Sequence, residues 1–476
     1  MAKSKDALTS IDEFGSRLEI IPAEVRGFYR RWRSRIQFVL LIVFLILPWT
    51  HINGTQTILL DIVHRQFSLF GILFWSHDSP LMFFILMFIV LGIVLATALW
   101  GRIWCGWACP QTVFIDGLYR RIEILIEGNY IQRRTLRKAP ASLNKSMKWI
   151  AKWGLFTVAS SLIAHSFMAY FIGSKPLLTM MYGSPAENWN YFLLITLTTG
   201  ALLFNFGWFR EQFCIVVCPY GRFQSVLMDA NSVTVLYDEK RGEPRKGTAL
   251  ELGQKQGDCV SCRRCVEVCP TGIDIRQGVQ MECIGCTACI DACNEIMEKV
   301  NKPKDLIRYS SLYEKARFFR PRIIIYIILL IGMAAGLGFN FFNRAAFMVT
   351  VLRASETPYQ VLKLENQIKI LNHFKVHLHN QSLLPQRFQI ILPEEFANQG
   401  IKLTTQSESL DLPAASNREV HFFIYAPQEV FNVSGNFPLN LQIQGSGEKN
   451  VVKKEIMLIG PQQSVIIKPE VEEGAK

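Results

Sequence analysis

Apolar residues gather in five long runs, at about 36–52, 81–100, 149–172, 189–209 and 323–342. Each is close to the roughly 20 residues a helix needs to cross a bilayer. The first run follows a mostly polar stretch and precedes no small-residue cleavage site, so it reads as an uncleaved anchor. After 342 the pattern shortens to alternating runs at 373–379, 387–392, 401–405, 419–425, 439–444 and 451–459. Turn-like stretches such as Ser434-Gly435-Asn436 and Gly445-Ser446-Gly447 divide them. Alternation at this spacing predicts a β-sandwich with polar faces. The last dozen residues, ending Glu-Glu-Gly-Ala-Lys, read as a frayed tail.

Composition and charge sharpen this picture. The 476 residues are 50% apolar and only 19% charged, below the roughly 25% of a soluble domain. Disorder, collagen and coiled coil are excluded. The net charge of +12 would suit nucleic acid, but its distribution is topological. Arg26, Arg30, Arg31, Arg33 and Arg35 crowd the start of the first run, and Lys315, Arg317, Arg320 and Arg322 precede the fifth. Loop 101–148 is also strongly basic, whereas 53–80 and 173–188 hold one basic residue each, Arg65 and Lys175. The positive-inside rule places 1–35, 101–148 and 210–322 in the cytoplasm of an inner-membrane protein and, with five spans, 343–476 outside. Nucleic-acid binding is therefore excluded. The expected organisation is an N-terminal segment 1–35, four spans within 36–209, a cytoplasmic domain 210–322, a fifth span 323–342 and a β-domain 343–476.

All 12 cysteines lie between Cys105 and Cys293, which suits metal chemistry in a reducing compartment better than disulfides. Cys259, Cys262, Cys265 and Cys269-Pro270 form C-x2-C-x2-C-x3-C-P, in a domain core at about 250–300. Cys283, Cys286, Cys289 and Cys293 repeat the spacing, with Asn294 in place of the proline. This is the bacterial two-cluster ferredoxin pattern, in which the fourth Cys of each run serves the other cluster. One [4Fe–4S] cluster would take Cys259, Cys262, Cys265 and Cys293, the other Cys283, Cys286, Cys289 and Cys269. A pair of structural zinc sites would need no third Cys at this spacing.

The remaining four cysteines form an internal repeat. Trp104-Cys105-Gly-Trp-Ala-Cys109-Pro110 and Phe213-Cys214-Ile-Val-Val-Cys218-Pro219 each follow a span of the same orientation. Spacing i, i+4 predicts both thiols of a pair on one helix face. If the spans are neighbours, four thiols converge beside the ferredoxin segment. They could be buried packing residues, or soft ligands for Cu(I), Zn or a further iron–sulfur centre; spacing does not choose. Two weaker signals read as ordinary structure. His373, His377 and His379 share one strand face and read as a solvated polar face rather than an outside metal site. Met168, Met180 and Met181, near His165, read as apolar filler rather than a copper path.

Together these features resemble the cytochrome c oxidase accessory family called CcoG, FixG or RdxA, over nearly the whole chain. The resemblance implies a five-helix transmembrane bundle, a cytoplasmic ferredoxin-like domain and an external immunoglobulin-like β-sandwich, here without the core disulfide. It implies a metal oxidoreductase that reduces Cu(II) to Cu(I) for the copper site of cbb3-type oxidase. Copper reduction would fall on Cys105, Cys109, Cys214 and Cys218. Oxidase subunits, copper-delivery proteins and a cytoplasmic electron donor would be the partners. The alternatives are a membrane quinol dehydrogenase relaying electrons to a periplasmic reductase, and a non-redox assembly scaffold. Asn294 is the main departure from the family's motifs.

Overall fold

The structure, a computed structural model, describes residues 19–461 apart from 53, 75–77, 249–254, 314–316, 318, 344–346, 355–356, 365–366, 381–384, 406–408, 414–415, 432–434 and 446–450. The expected tail, and the turn residues Ser434, Ser446 and Gly447, lie outside the described residues. Two compact units form, one holding the helices through Asn340 and every cysteine, the other the strands from Phe347 onwards.

Among the described residues, five helices are long and apolar enough to cross a membrane: Phe28–Trp49, Ser79–Trp100, Leu143–Ile172, Trp189–Phe209 and Pro321–Phe342. Four agree closely with the apolar runs. The first differs, because it begins at Phe28 and ends at Trp49 rather than covering 36–52. Helix α1, Phe28–Ile46, runs straight through the arginines that hydropathy leaves out. Asp291 makes that possible: its carboxylate accepts from the backbone N–H groups of Tyr29 (3.2 Å) and Arg30 (2.7 Å). A carboxylate at a helix N-terminus satisfies orphan donors and complements the helix dipole. At the other end Pro48 opens a single 3₁₀ turn, Leu47–Trp49, and the chain then becomes extended. Leu41, Tyr119, Phe156, Ile163 and Phe206 form an apolar core among α1, the segment after α2 (Ser79–Trp100), α3 (Leu143–Ile172) and the fourth span.

The cysteine-rich segment closes around an antiparallel strand pair, β1 (Thr234–Tyr237) and β2 (Ile307–Ser310), with Val235 opposite Tyr309. Helix α4, Ala288–Lys299, carries Cys289 and Cys293 and packs Ile290 and Met297 against this pair.

The second unit is a two-sheet β-sandwich. One sheet runs β7 (Lys402–Thr405), β9 (Asn417–Pro427), β5 (Gln367–Asn380), β3 (Phe347–Arg353), with β4 (Gln360–Leu364) also paired to β5. The other runs β8 (Leu410–Leu412), β6 (Gln386–Ile391), β10 (Asn436–Gln444), β11 (Val451–Ile459). Alternate residues turn inward, so Val376, Leu378, Phe422, Ile424, Leu441 and Leu458 are wholly buried in one core. The strands β3, β4 and β8 escape the hydropathy reading. β3 follows almost directly on the fifth apolar run, and β8 is only three residues long.

Candidate redox and metal-binding site

The two cysteine runs repeat in backbone as well as in spacing. Ser261 and Arg263 have φ of 55° and 58°, and their counterparts Gly285 and Thr287 have 67° and 64°. Left-handed conformations are costly for residues with a side chain. Successive backbone N–H groups in turns of this kind form concavities that suit iron–sulfur centres.

Cys259, Cys262, Cys265 and Cys293 line one cavity of about 350 Å³. Cys269, Cys283, Cys286 and Cys289, with Cys265 at the boundary, line a second of about 350 Å³. The other walls of the second include the apolar Val235, Ile273, Ile275 and Ile284. Among the described residues, no three His, Cys, Asp or Glu side chains surround a single ion position. Thiols spread round a cavity suit a cube, whose ligands are divided among several irons, and not the tight tetrahedron of one zinc. Burial, then the neighbouring Cys265, Cys262 and Cys259, pushes the Cys293 thiol up to about 12. Burial likewise raises Cys289, beside Cys286, Cys283 and Cys269. These protons must leave when metal binds.

Asn294 has a structural role. It lies inside α4, where proline would remove an intrahelical hydrogen bond. Its side chain donates to Asp305 Oδ1 (3.1 Å) and accepts from the Asp305 N–H (2.8 Å). The loop leading into β2 is thereby fixed to the cysteine helix.

The membrane-edge pairs are arranged differently from the single helix face that i, i+4 spacing predicts. Cys105 lies in a short helix, Ile103–Trp107, but Cys109 is extended (φ −61°, ψ 129°) ahead of a new helix, Pro110–Phe114. Cys214 lies in the wide turn Phe213–Val217, and Cys218 is extended (φ −66°, ψ 112°) ahead of Pro219–Leu227. The proline is the cause, because its ring disfavours the helical conformation in the residue before it. Each span ends in the same unusual backbone, Gly101 at φ 56°, ψ −127° and Arg210 at φ 52°, ψ −123°. Only the first uses glycine. Arg210 is fixed there by donating to the Gly207 carbonyl (3.0 Å) and pairing with buried Glu123.

Two cross-braces tie the segment that follows each span to the other span. Two residues beyond Cys109, Gln111 exchange amide hydrogen bonds with Asn205 (3.0 and 2.9 Å) and donates to the Arg210 carbonyl (3.0 Å). Two residues beyond Cys218, Tyr220 shares a hydrogen bond of 2.6 Å with Thr97 of α2. The thiols consequently sense one another. Burial, then Cys109, pushes Cys105 up to about 12, with Cys218 adding to it. Burial, then the charges of Cys109, Cys105, Glu211 and Cys218, raises Cys214. Wholly buried Gln224 accepts from Cys105 Sγ at 3.5 Å.

The thiol pairs abut the second cysteine cavity. A Cβ on Gly106, inside the first pair, would lie 2.5 Å from the Gly285 carbonyl oxygen and 2.8 Å from that of Ile284. Two backbones therefore meet with no side chain between them. Arg102 donates to the carbonyls of Met281, Cys283 (3.3 Å) and Gly221 (2.9 Å), joining the cysteine loop to the segments around both pairs. Cys105 packs against the apolar group that contains Ile284, Cys286 and Ala288. Behind this contact, Arg33 of α1 donates to the Gly106 carbonyl (2.7 Å) and pairs with buried Asp116. Asp116 also pairs with Arg120, which reaches Glu211. Burial favours a neutral Asp116, but Arg120, Arg33 and Arg30 outweigh it and hold the carboxyl well below its usual range.

The weaker candidates fall elsewhere. Met168 packs in an apolar group with Ala164, Ala169, Leu177 and Ile195, and His165 Nδ1 lies 2.8 Å from the Ser161 carbonyl oxygen. The sequence reading missed Arg102, Gly106, Asp291 and Gln224. A glycine inside a thiol pair was the one local signal, since glycine marks close backbone approach.

Residues 209–312 match the family described as a 4Fe-4S dicluster domain, and 82–129 match a 4Fe-4S binding domain. Residues 337–461 match the IG-like fold at the C-terminal of FixG. The chain is similar to Protein RdxA of Cereibacter sphaeroides, 34% identical over 436 residues, spanning 87% of this chain and 91% of that protein. Protein RdxB of the same organism is 35% identical, spanning 82% and 85%. Nitrogen fixation protein FixG of Rhizobium meliloti is 31% identical, spanning 80% of each.

Proposed function

The chain belongs to the FixG/RdxA family of iron–sulfur electron-transfer proteins of the membrane, and on that premise we propose that it reduces Cu(II) to Cu(I) at its membrane-edge thiols. The observation carrying this reading is the meeting of Gly106 with Gly285, which sets the thiol pairs against the second cysteine cavity. Cys259, Cys262, Cys265 and Cys293 hold one [4Fe–4S] cluster, and Cys269, Cys283, Cys286 and Cys289 hold the other. When bound, such clusters supply one-electron transfer and no chemistry of their own on copper. Cys105, Cys109, Cys214 and Cys218 capture the copper, because soft thiolates favour Cu(I) over Cu(II). One electron converts each Cu(II) to Cu(I), and the thiol protons are released as the metal binds. Arg102 and Gly106 keep the electron's path short, and the Asp116 network holds the first pair in place.

In the cell, the cysteine-rich segment faces the cytoplasm and takes electrons from a donor there. The β-sandwich faces the periplasm, where the reduced copper serves assembly of a cbb3-type oxidase with its copper-delivery proteins. The experiment is the double change Cys105→Ser with Cys218→Ser in anaerobically purified protein. Cu(I) retention and Cu(II) reduction by protein that is prereduced and then freed of excess dithionite should collapse while about eight iron per chain remain, as two four-iron clusters require. A second reading, a further iron–sulfur centre on the membrane-edge thiols, is favoured by the family description of residues 82–129. It requires about twelve iron in the wild type and the loss of four in the double variant. Quinol oxidation by the same sample would support a respiratory relay, and neither activity would leave a scaffold.

A further inference from the structure

The outward face of the β-sandwich carries a histidine pair that no sequence spacing joins. In β5, Phe374, Val376 and Leu378 are buried, which turns His373, Lys375 and His377 outward. In β9, Val420 and Phe422 are buried, which turns Glu419, His421 and Phe423 outward. The antiparallel register sets His373 opposite Phe423, Lys375 opposite His421 and His377 opposite Glu419. His373 and His421 are thus diagonal neighbours across the strands, and His373 Nε2 lies 3.0 Å from His421 Nδ1.

We propose that His373 and His421 form a two-imidazole site for a late divalent transition-metal ion, Cu(II) first among them. Metal–imidazole bonds of about 2.0–2.1 Å place two nitrogens on one ion about 2.9 Å apart at a right angle and about 3.3 Å apart at the tetrahedral angle. The observed 3.0 Å falls between these values. With the ring centroids 5.1 Å apart the two nitrogens point almost at each other, so holding one ion requires each ring to turn by about 35–45°. Phe423 stacks on the His373 ring, with centroids 4.4 Å apart and planes at 19°. On the far side of His421, its Nε2 lies 3.6 Å from Glu419 Oε1. A carboxylate beside the second ring nitrogen is the usual support of a metal-bound histidine, since it fixes the tautomer and raises ligand basicity. Lys375 shares that carboxylate (3.4 Å), and His377 approaches its other oxygen (3.3 Å).

His421 is 40% exposed, so solvent or a transfer partner completes the coordination. Two protein ligands make an open site suited to passing an ion on. Imidazole nitrogen accepts Cu(II), Ni(II) and Zn(II), and the general affinity order places Cu(II) highest. The site stands whether or not the membrane-edge thiols reduce copper.

The test is a Cu(II) titration of the full-length protein with its clusters oxidised, followed by EPR and calorimetry. With the clusters oxidised no electron reaches the membrane-edge thiols, so Cu(II) held there is EPR-active too. Its sulfur ligation gives no nitrogen splitting, and the Cys105→Ser, Cys218→Ser variant removes it, so the nitrogen-split signal reports this face. One equivalent of Cu(II) should show nitrogen hyperfine splitting, and His373→Gln with His421→Gln should abolish it. Glu419→Gln should weaken binding by about 10-fold or more, whereas Lys375→Gln, which releases Glu419, should tighten it. The thiol double variant should leave the nitrogen-split signal unchanged even where copper reduction is lost. Equal Cu(II) affinity in the wild type and the double histidine variant, or no nitrogen splitting in the wild type, would overturn the proposal. A Lys375→Gln protein that binds no tighter would also count against it.

Discussion

Replacing Gly106 with alanine adds one methyl group where the thiol pair meets the cysteine loop. That methyl would lie 2.5 Å from the Gly285 carbonyl oxygen and 2.7 Å from its carbon, against an ordinary contact distance of 3.4 Å or more. The two backbones must part by nearly an ångström. Both obstructing atoms are backbone, and Arg33 anchors the Gly106 carbonyl from behind, so no flexible side chain can absorb the collision. Overpacking a tight core costs about 1–3 kcal/mol, which lowers the population of the docked arrangement about 5–150-fold. Gly106 lies in a helix, where alanine is otherwise the better residue, so any loss is steric. The assay is anaerobic stopped-flow: prereduced protein is mixed with Cu(II) and bleaching or recovery of the cluster absorbance is followed. Gly106→Ala should slow this step by one to two orders of magnitude with the iron content unchanged. Gly92→Ala serves as the control, because nothing lies within 4 Å of its added methyl. Wild-type transfer in Gly106→Ala would refute the idea that this contact sets the electron path.

Two further predictions concern what holds the site together. Asp291→Ala removes both acceptors from the start of α1 and should cost about 1–2 kcal/mol of stability, as lost N-caps do; Asp291→Asn should recover part of it in the same thermal melt. Asp116→Asn leaves Arg33 and Arg120 buried without their shared counter-charge, a loss of about 3–5 kcal/mol. The folded Asp116 carboxyl titrates below its ordinary 3.8, so its stabilisation is complete above that pH and is lost only as pH falls further. Melts of the wild type between pH 7 and 4 should therefore show no loss from this group, while the variant is already weakened at pH 7.

The sequence by itself determined the parts that depend on local order. Hydropathy located the spans because crossing a bilayer needs one continuous apolar run. The two cysteine runs were legible because cluster ligation fixes short spacings, and the sandwich because strands alternate with a period of two. The extended Cys109 and Cys218 were also legible in principle, from the prolines that follow them, but the i, i+4 spacing masked that signal. Tertiary structure alone decided the rest. Asp291 caps a helix about 260 residues earlier in the chain, so the true start of α1 is invisible to any local window. Gly106 meets Gly285, and His373 meets His421 rather than His377 or His379, only because distant segments pack in one register. Side chains carry no record in the sequence of which distant backbone will face them. Long-range packing, unlike spacing, is set by the sum of many weak contacts across the whole fold.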